Sequence, residues 1–172
     1  MVLWITGLSG AGKTTLGHAL WTRLKPTTPA LVLLDGDAVR LACGNDLGFA
    51  EADRVRQIRR VQGLAQLLSD QGMHVIVAAV YARPDLLAWN RMHLPGYYEI
   101  YLHASIETLR RRDVKHIYAR ASRGELENVV GLDLPWHRPP RPDLVIDVDR
   151  LEEPDRMAAA VIAATSHLLS HP

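Results

Sequence analysis

Short apolar runs alternate along this chain with longer stretches whose apolar residues recur at helical spacing. Val2–Thr6, Leu31–Leu34, His74–Val80, Tyr97–Leu102 and Leu144–Ile146 are predominantly apolar without regular polar alternation. That is the pattern of strands covered on both faces. Between them, Lys13–Leu24 reads as a helix stopped by Lys25-Pro26, because a residue before proline disfavours the helical region. Ala50–Asp70 carries Val55, Ile58, Val61, Leu64, Ala65 and Leu68 on one helical face and ends at Gln71-Gly72. Pro84–His93 is a shorter helix, Ser105–Arg112 opens with serine in a capping position, and Glu153–Leu169 closes the chain. Strand followed by helix, five times over, predicts an α/β fold: a five-stranded parallel sheet with helices on both faces. Ligands of such sheets bind beyond the carboxyl ends of the strands. The informative residues should therefore follow Thr6, Leu34, Val80, Leu102 and Ile146.

Composition narrows this picture. A chain of 172 residues accommodates a single domain, here residues 1–172. Twenty basic and 19 acidic side chains leave a formal charge of +1. Binding of nucleic acid through bulk charge is thereby excluded, and phosphate recognition must come from local placement. There is one cysteine, Cys43, so an internal disulfide is excluded and a reducing compartment is the default. The opening apolar run lacks a basic leader, and no apolar stretch approaches the roughly 20 residues that span a bilayer. A cytoplasmic protein without membrane association is expected. Pro135–Pro142, with four prolines in eight residues, is short enough for an ordered surface loop.

The first strand runs into Gly7-Leu8-Ser9-Gly10-Ala11-Gly12-Lys13-Thr14, which satisfies the phosphate-loop pattern. Glycines let the backbone curl so that successive amides face an anion, and the following helix adds its dipole and unsatisfied amides. Gly7, Ser9, Gly10, Ala11, Gly12, Lys13, Thr14 and Thr15 are the candidate ATP-binding residues, with Lys13 reaching the transferred phosphate and Thr14 ligating Mg²⁺. The second strand ends in Asp35-Gly36-Asp37, with Arg40 three residues on. One carboxylate can serve magnesium and the other can take a proton from an attacking hydroxyl, while Arg40 holds an anionic substrate group. Taken alone, the same residues also suit a simple capped turn. The third strand lacks the terminal aspartate of switch GTPases and motor ATPases, and no Asn-Lys-x-Asp guanine signature occurs. A small-molecule kinase is favoured. Phe49, the one phenylalanine, fits either a core position or a base-stacking position. Of Arg54, Arg56, Arg59 and Arg60, Arg54 is nearest the helix start and is assigned to an anion.

Taken together, Gly7–Thr14, Leu34–Arg40, Asp46–Phe49, Asp53-Arg54 with Ile58–Arg60, and Arg112–Lys115 resemble the adenylylsulfate (APS) kinase family. Tyr118, Ala121, Gly124-Glu125, Gly131–Asp133 and Pro142–Leu144 extend the likeness over nearly the whole chain. The resemblance implies a P-loop kinase fold with a mobile lid over about 110–131. It implies transfer of the γ-phosphoryl of MgATP to the ribose 3′-hydroxyl of adenosine 5′-phosphosulfate. By position, Asp37 is the implied base and Asp35 its partner on the magnesium side. Arg40, Arg54 and Lys115 are implied contacts to the acceptor's anions, Phe49 stacks on its base, and Gln57 and Val129 also line its site. Arg112, Arg120 and Arg123 lie near ATP. The family often forms dimers, so a homodimer is admitted besides the small-molecule acceptor.

Four positions depart from the family pattern. Tyr81-Ala82-Arg83-Pro84 stands where Ser-Pro-Tyr-Arg is usual, so that Tyr81 or Arg83 takes over that wall. Gln57 replaces Asn, Val129-Val130-Gly131 replaces Phe-Thr-Gly, and His116 replaces Gly. Trp89-Asn90-Arg91 and Tyr97–Leu102 resemble a side branch of the family, some of whose members act on cytidine diphosphoramidate. Another 5′-modified nucleotide is therefore an alternative acceptor, and a catalytically silent nucleotide-binding module is the alternative from a different class.

Overall fold

The structure, a computed structural model, describes residues 1–113, 116–150 and 153–169, with only the backbone at 169. Five parallel strands, β1 (Val2–Thr6), β2 (Leu31–Asp35), β3 (His74–Ala79), β4 (Tyr97–His103) and β5 (Leu144–Asp147), form one sheet in the order β2-β3-β1-β4-β5. The chain leaves β1 for β2 on one flank, then crosses from β3 to β4 on the other. The carboxyl end of β1 therefore sits where the strand order reverses, the usual place for a crevice.

Alternate residues of β1 feed two separate cores. Leu3 and Ile5 pack with Leu16, Leu20 and Leu24 of α1 (Lys13–Leu24) and with Met157, Ala158 and Val161 of α7 (Pro154–Leu169). Val2 and Trp4 pack with Ile58, Val61 and Ala65 of α3 (Glu51–Asp70) and with Leu86 and Leu87 of α4 (Pro84–His93). Both faces of the sheet are thus covered, as continuous apolar strands require. Two short helices were not anticipated as elements: α2 (Gly36–Ala42) and α6 (Ile117–Ser122), the latter following α5 (Ile106–Arg112). Ser105 caps α5 by accepting a hydrogen bond from the Thr108 N–H at 3.2 Å. No helix among the described residues is long and apolar enough to cross a membrane.

Asn90, Arg91 and Tyr97 lie in a polar clamp at the amino-terminal end of the sheet, opposite the phosphate loop. Gln62 donates to the Asn90 side chain at 2.6 Å, Asn90 donates to the Tyr97 hydroxyl at 3.3 Å, and that hydroxyl donates to Glu99 at 2.8 Å. Arg91 completes it with two bonds of 3.1 Å to Asp143, just before β5. Burial pushes the Glu99 carboxyl above its ordinary range. These residues bind α3 and α4 to the start of β4, so their place in the fold is structural.

Candidate active site

The phosphate loop joins β1 to α1 along a path that only glycine fits. A Cβ on Gly7 would stand 2.7 Å from the Leu102 carbonyl oxygen of β4, against rigid backbone. Gly12 has φ +95° in the left-handed region and directly precedes α1. Lys13, the first residue of that helix, is buried, and its ammonium turns back into the loop to donate to the Leu8 carbonyl at 2.8 Å. One cation is thereby held among the turns of an amide-rich loop, at the positive end of a helix dipole.

The next strand end is tied to this loop. Thr14 donates its hydroxyl to Asp35 Oδ2 at 2.6 Å. Asp35 Oδ1 accepts the N–H groups of Asp37 at 2.9 Å and Ala38 at 3.2 Å, capping α2. The capped-turn account of Asp35 is therefore right as far as it goes, and its other oxygen meets the loop as well. Asp35→Asn retains an acceptor for the cap and is expected to melt close to the wild type. Asp35→Ala should lose about 1 kcal/mol of stability. If both lose turnover alike in a kinase assay, the charge serves catalysis; loss confined to the alanine variant leaves Asp35 a cap only.

Helix α2 then directs Asp37 and Arg40 to one side, where a cleft opens. Its lining includes Gly36, Asp37, Arg40, Phe49, Arg54, Gln57 and Tyr81. Arg40 is buried and donates to the carbonyls of Leu47 at 2.7 Å and Gly48 at 2.9 Å. Arg54 donates to the carbonyls of Phe49 at 2.9 Å and Asn128 at 2.6 Å. Both guanidiniums lie over the Phe49 ring, at 4.7 and 5.5 Å from its centroid, within the reach of a cation–π contact. Carbonyl dipoles position these guanidiniums without cancelling their charge. Burial, and then the charge of Arg40, pull the Arg54 guanidinium below its ordinary pKa, as expected of two cations held close together. Phe49 itself is 51% exposed on a loop, which removes the core alternative.

Gln57 is buried at the cleft floor and donates to the Gly36 carbonyl at 3.1 Å. Two of the remaining arginines on α3 are taken up by carboxylates: Arg56 pairs with Asp53 at 2.6 Å and Arg60 with Asp46 at 2.8 Å. Tyr81, left open from the sequence, is the wall after β3. Its hydroxyl donates to Glu51 at 2.7 Å, and burial together with that carboxylate pushes the phenol up to about 12. Arg83 pairs with Asp85 at 2.6 Å and reaches the same Glu51 at 3.9 Å. Glu51 carried no local signal, since an acidic first turn on a helix is ordinary.

Val129 is buried and outside the cleft lining, its N–H held by Asp133. Arg120 and Arg123 both face Glu125, at 3.9 and 2.6 Å, while Arg112 ends α5. Lys115 lies outside the described residues. His116, where the family has glycine, adopts φ +52° and starts α6. Tyr118 received no role from the sequence; it is buried and its hydroxyl donates to the Ser9 carbonyl at 2.9 Å.

A phosphate loop, a paired carboxylate strand end and a doubly cationic aromatic cleft agree with what comparison with known proteins returns. A family model described as adenylylsulphate kinase matches residues 1–147. An adenylyl-sulfate kinase of Paraburkholderia xenovorans is 40% identical over 165 residues, covering 94% of this chain and 92% of that one. One from a Picosynechococcus species is also 40% identical, covering 89% and 88%. Among solved structures, the Mycobacterium tuberculosis APS kinase CysC in complex with AMPPNP and APS superposes with a TM-score of 0.87 at 34% identity, over 96% of both chains. With the family model matching residues 1–147 and relatives 40% identical over most of both chains, the chain belongs to the adenylylsulfate kinase family.

Proposed function

We propose that this protein transfers the γ-phosphoryl group of ATP to the ribose 3′-hydroxyl of adenosine 5′-phosphosulfate. The observation that carries this reading is the cleft lined by Asp37 together with a phenylalanine that lies under two guanidiniums, next to a strand end tied to the phosphate loop through Thr14 and Asp35. An acceptor with an aromatic base, a hydroxyl and a 5′ anionic tail matches those three elements. The loop amides and Lys13 hold the triphosphate, and Arg40 and Arg54 hold the acceptor's anions. Asp37 takes the 3′-hydroxyl proton as the 3′-oxygen bonds to the γ-phosphorus. The bond from that phosphorus to the bridging oxygen breaks, and ADP leaves. Arg112, Arg120 and Arg123 supply cations from the lid around the nucleotide.

The residues present fit magnesium. A threonine hydroxyl and a carboxylate, in contact across Thr14 and Asp35, are hard oxygen donors of the kind that holds Mg²⁺ with water and nucleotide phosphates. When bound, the ion would neutralise charge on the β- and γ-phosphates.

Phe49→Leu is expected to raise the KM for the acceptor by about 5–150-fold, the equivalent of about 1–3 kcal/mol of lost stacking, with the KM for ATP unchanged. An equal rise in both constants would show that Phe49 serves the fold rather than the base. The whole reading is tested by following ADP release with APS and, in parallel, with cytidine 5′-diphosphate derivatives, each taken to kcat/KM. Turnover that depends on APS supports it. Turnover with the cytidine nucleotides alone moves the assignment to another 5′-modified nucleotide, and tight ATP binding without acceptor-dependent turnover makes the chain a silent binding module.

A further inference from the structure

The hydroxyl of Tyr118 donates to the main-chain carbonyl of Ser9 at 2.9 Å, across a sequence separation of 109 residues. One partner lies inside the phosphate loop. The other is the second residue of α6, in the arginine-bearing segment of the lid. We propose that Tyr118 is a positioning residue for the polyphosphate: it fixes the plane of the Ser9–Gly10 peptide and so aims the Gly10 N–H at the nucleotide. The inference rests on the phosphate loop serving as the ATP site.

The argument begins with peptide geometry. The Ser9–Gly10 bond is trans, like every bond described in the chain. In a trans peptide the carbonyl and the following N–H point in opposite directions within one plane. Committing the Ser9 oxygen to Tyr118 therefore turns the Gly10 N–H away from the lid helix. Gly10 has φ +82°, where its peptide planes have a wide range of motion because glycine lacks the Cβ that would confine them. A freely rotating peptide at this point would misdirect one of the donors that an anion-binding loop must present together. An external hydrogen bond supplies the constraint that glycine does not.

The anchor is itself rigid. Tyr118 is 4% exposed and packs in one core with Ala11 of the loop, Leu109 of α5 and Val148 beyond β5. Leu109 also stands 3.6 Å from where a Gly10 Cβ would be. The first turn of α6 is held by Asp113, whose two oxygens accept the N–H groups of Tyr118 at 3.1 Å and Ala119 at 2.9 Å. Burial raises the phenol to about 12, and the Asp113 charge adds to this, so the hydroxyl keeps its proton and remains a donor. A phenylalanine would keep the packing and lose only the hydrogen bond.

The decisive measurement is ATP affinity by calorimetry without acceptor, followed by steady-state kinetics, on the full chain with Tyr118→Phe. The expected result is a rise of about three- to tenfold in both the Kd and the KM for MgATP, the worth of one neutral hydrogen bond. The acceptor KM at saturating ATP should stay at its wild-type value, and the melting temperature should fall by no more than the few degrees that one hydrogen bond is worth. Ser122→Ala, which removes a local hydroxyl-to-carbonyl bond on the same helix, should leave ATP binding unchanged. Wild-type ATP affinity in Tyr118→Phe overturns the proposal. So does an equal rise in both substrate constants, which would make Tyr118 a packing residue only. Calorimetry needs no turnover, so loss of ATP affinity is seen even if APS proves not to be the acceptor. Failure of the unmodified protein to bind MgATP would instead refute the ATP-site reading itself.

Discussion

Asp37→Asn is expected to lower kcat by about 10²–10⁴-fold, the range for a lost general base, while the Kd for MgATP stays within about twofold of the wild type. Two carboxylates leave the end of β2, and their surroundings separate their duties. Asp35 has both oxygens engaged by Thr14, Asp37 N–H and Ala38 N–H. Asp37 is exposed and lines the cleft with Arg40, Phe49 and Arg54. Its structural contribution to the cap is a main-chain N–H, which asparagine retains. The substitution therefore removes the proton acceptor and leaves α2, the cleft and the loop in place. Acceptor-dependent ADP release in a rapid coupled assay, set beside calorimetric ATP binding, separates the two effects. A variant that retains more than half of the wild-type turnover would show that the proton goes elsewhere.

How far the sequence predicts this molecule depends on the range over which each feature is encoded. β1, α1 and α4 occur with the boundaries that apolar periodicity and proline stops imply, because those signals are local. Helices α2 and α6 have seven and six residues, too few to establish a period. The first is further obscured by an Asp-Gly pair that reads equally well as a turn. The second starts from His116 in a left-handed conformation that histidine rarely adopts. The phosphate loop was legible for the reason that β1 was: its chemistry lies in eight consecutive residues. The cleft was not. Arg40 and Arg54 could each be nominated from the sequence, yet their meeting over Phe49 is a property of the fold. Glu51 and Tyr81, 30 residues apart, meet only after β3 is laid beside β2. The same limit applies to the arginine-rich segment after β4. Its positive charge is evident in the sequence, but the pairing of Arg120 and Arg123 with Glu125 is a property of the folded segment.

Lys13→Ala is expected to cost at least about 10²–10³-fold in kcat, the loss seen when one preorganised donor to a charged transition state is removed, and to weaken ATP binding as well. Lys13 is the loop's own cation, and it is 8% exposed. Its contact with the Leu8 carbonyl at 2.8 Å keeps the ammonium within the loop. Water competes poorly there, so charge on a transferring phosphoryl group is stabilised more strongly than by a surface lysine. Helix α1 should survive the substitution, because Leu16, Leu20 and Leu24 anchor it to the sheet and alanine is the best helix former. The loss therefore belongs to the site rather than to unfolding, and an unchanged melting temperature verifies that. Lys13→Arg is not expected to restore function: a planar guanidinium has a different shape and donor geometry from the compact ammonium that this position accommodates. ATP affinity and turnover that both remain at wild-type values in Lys13→Ala would remove the phosphate loop from the mechanism, and with it the ATP-side roles of Thr14 and Asp35.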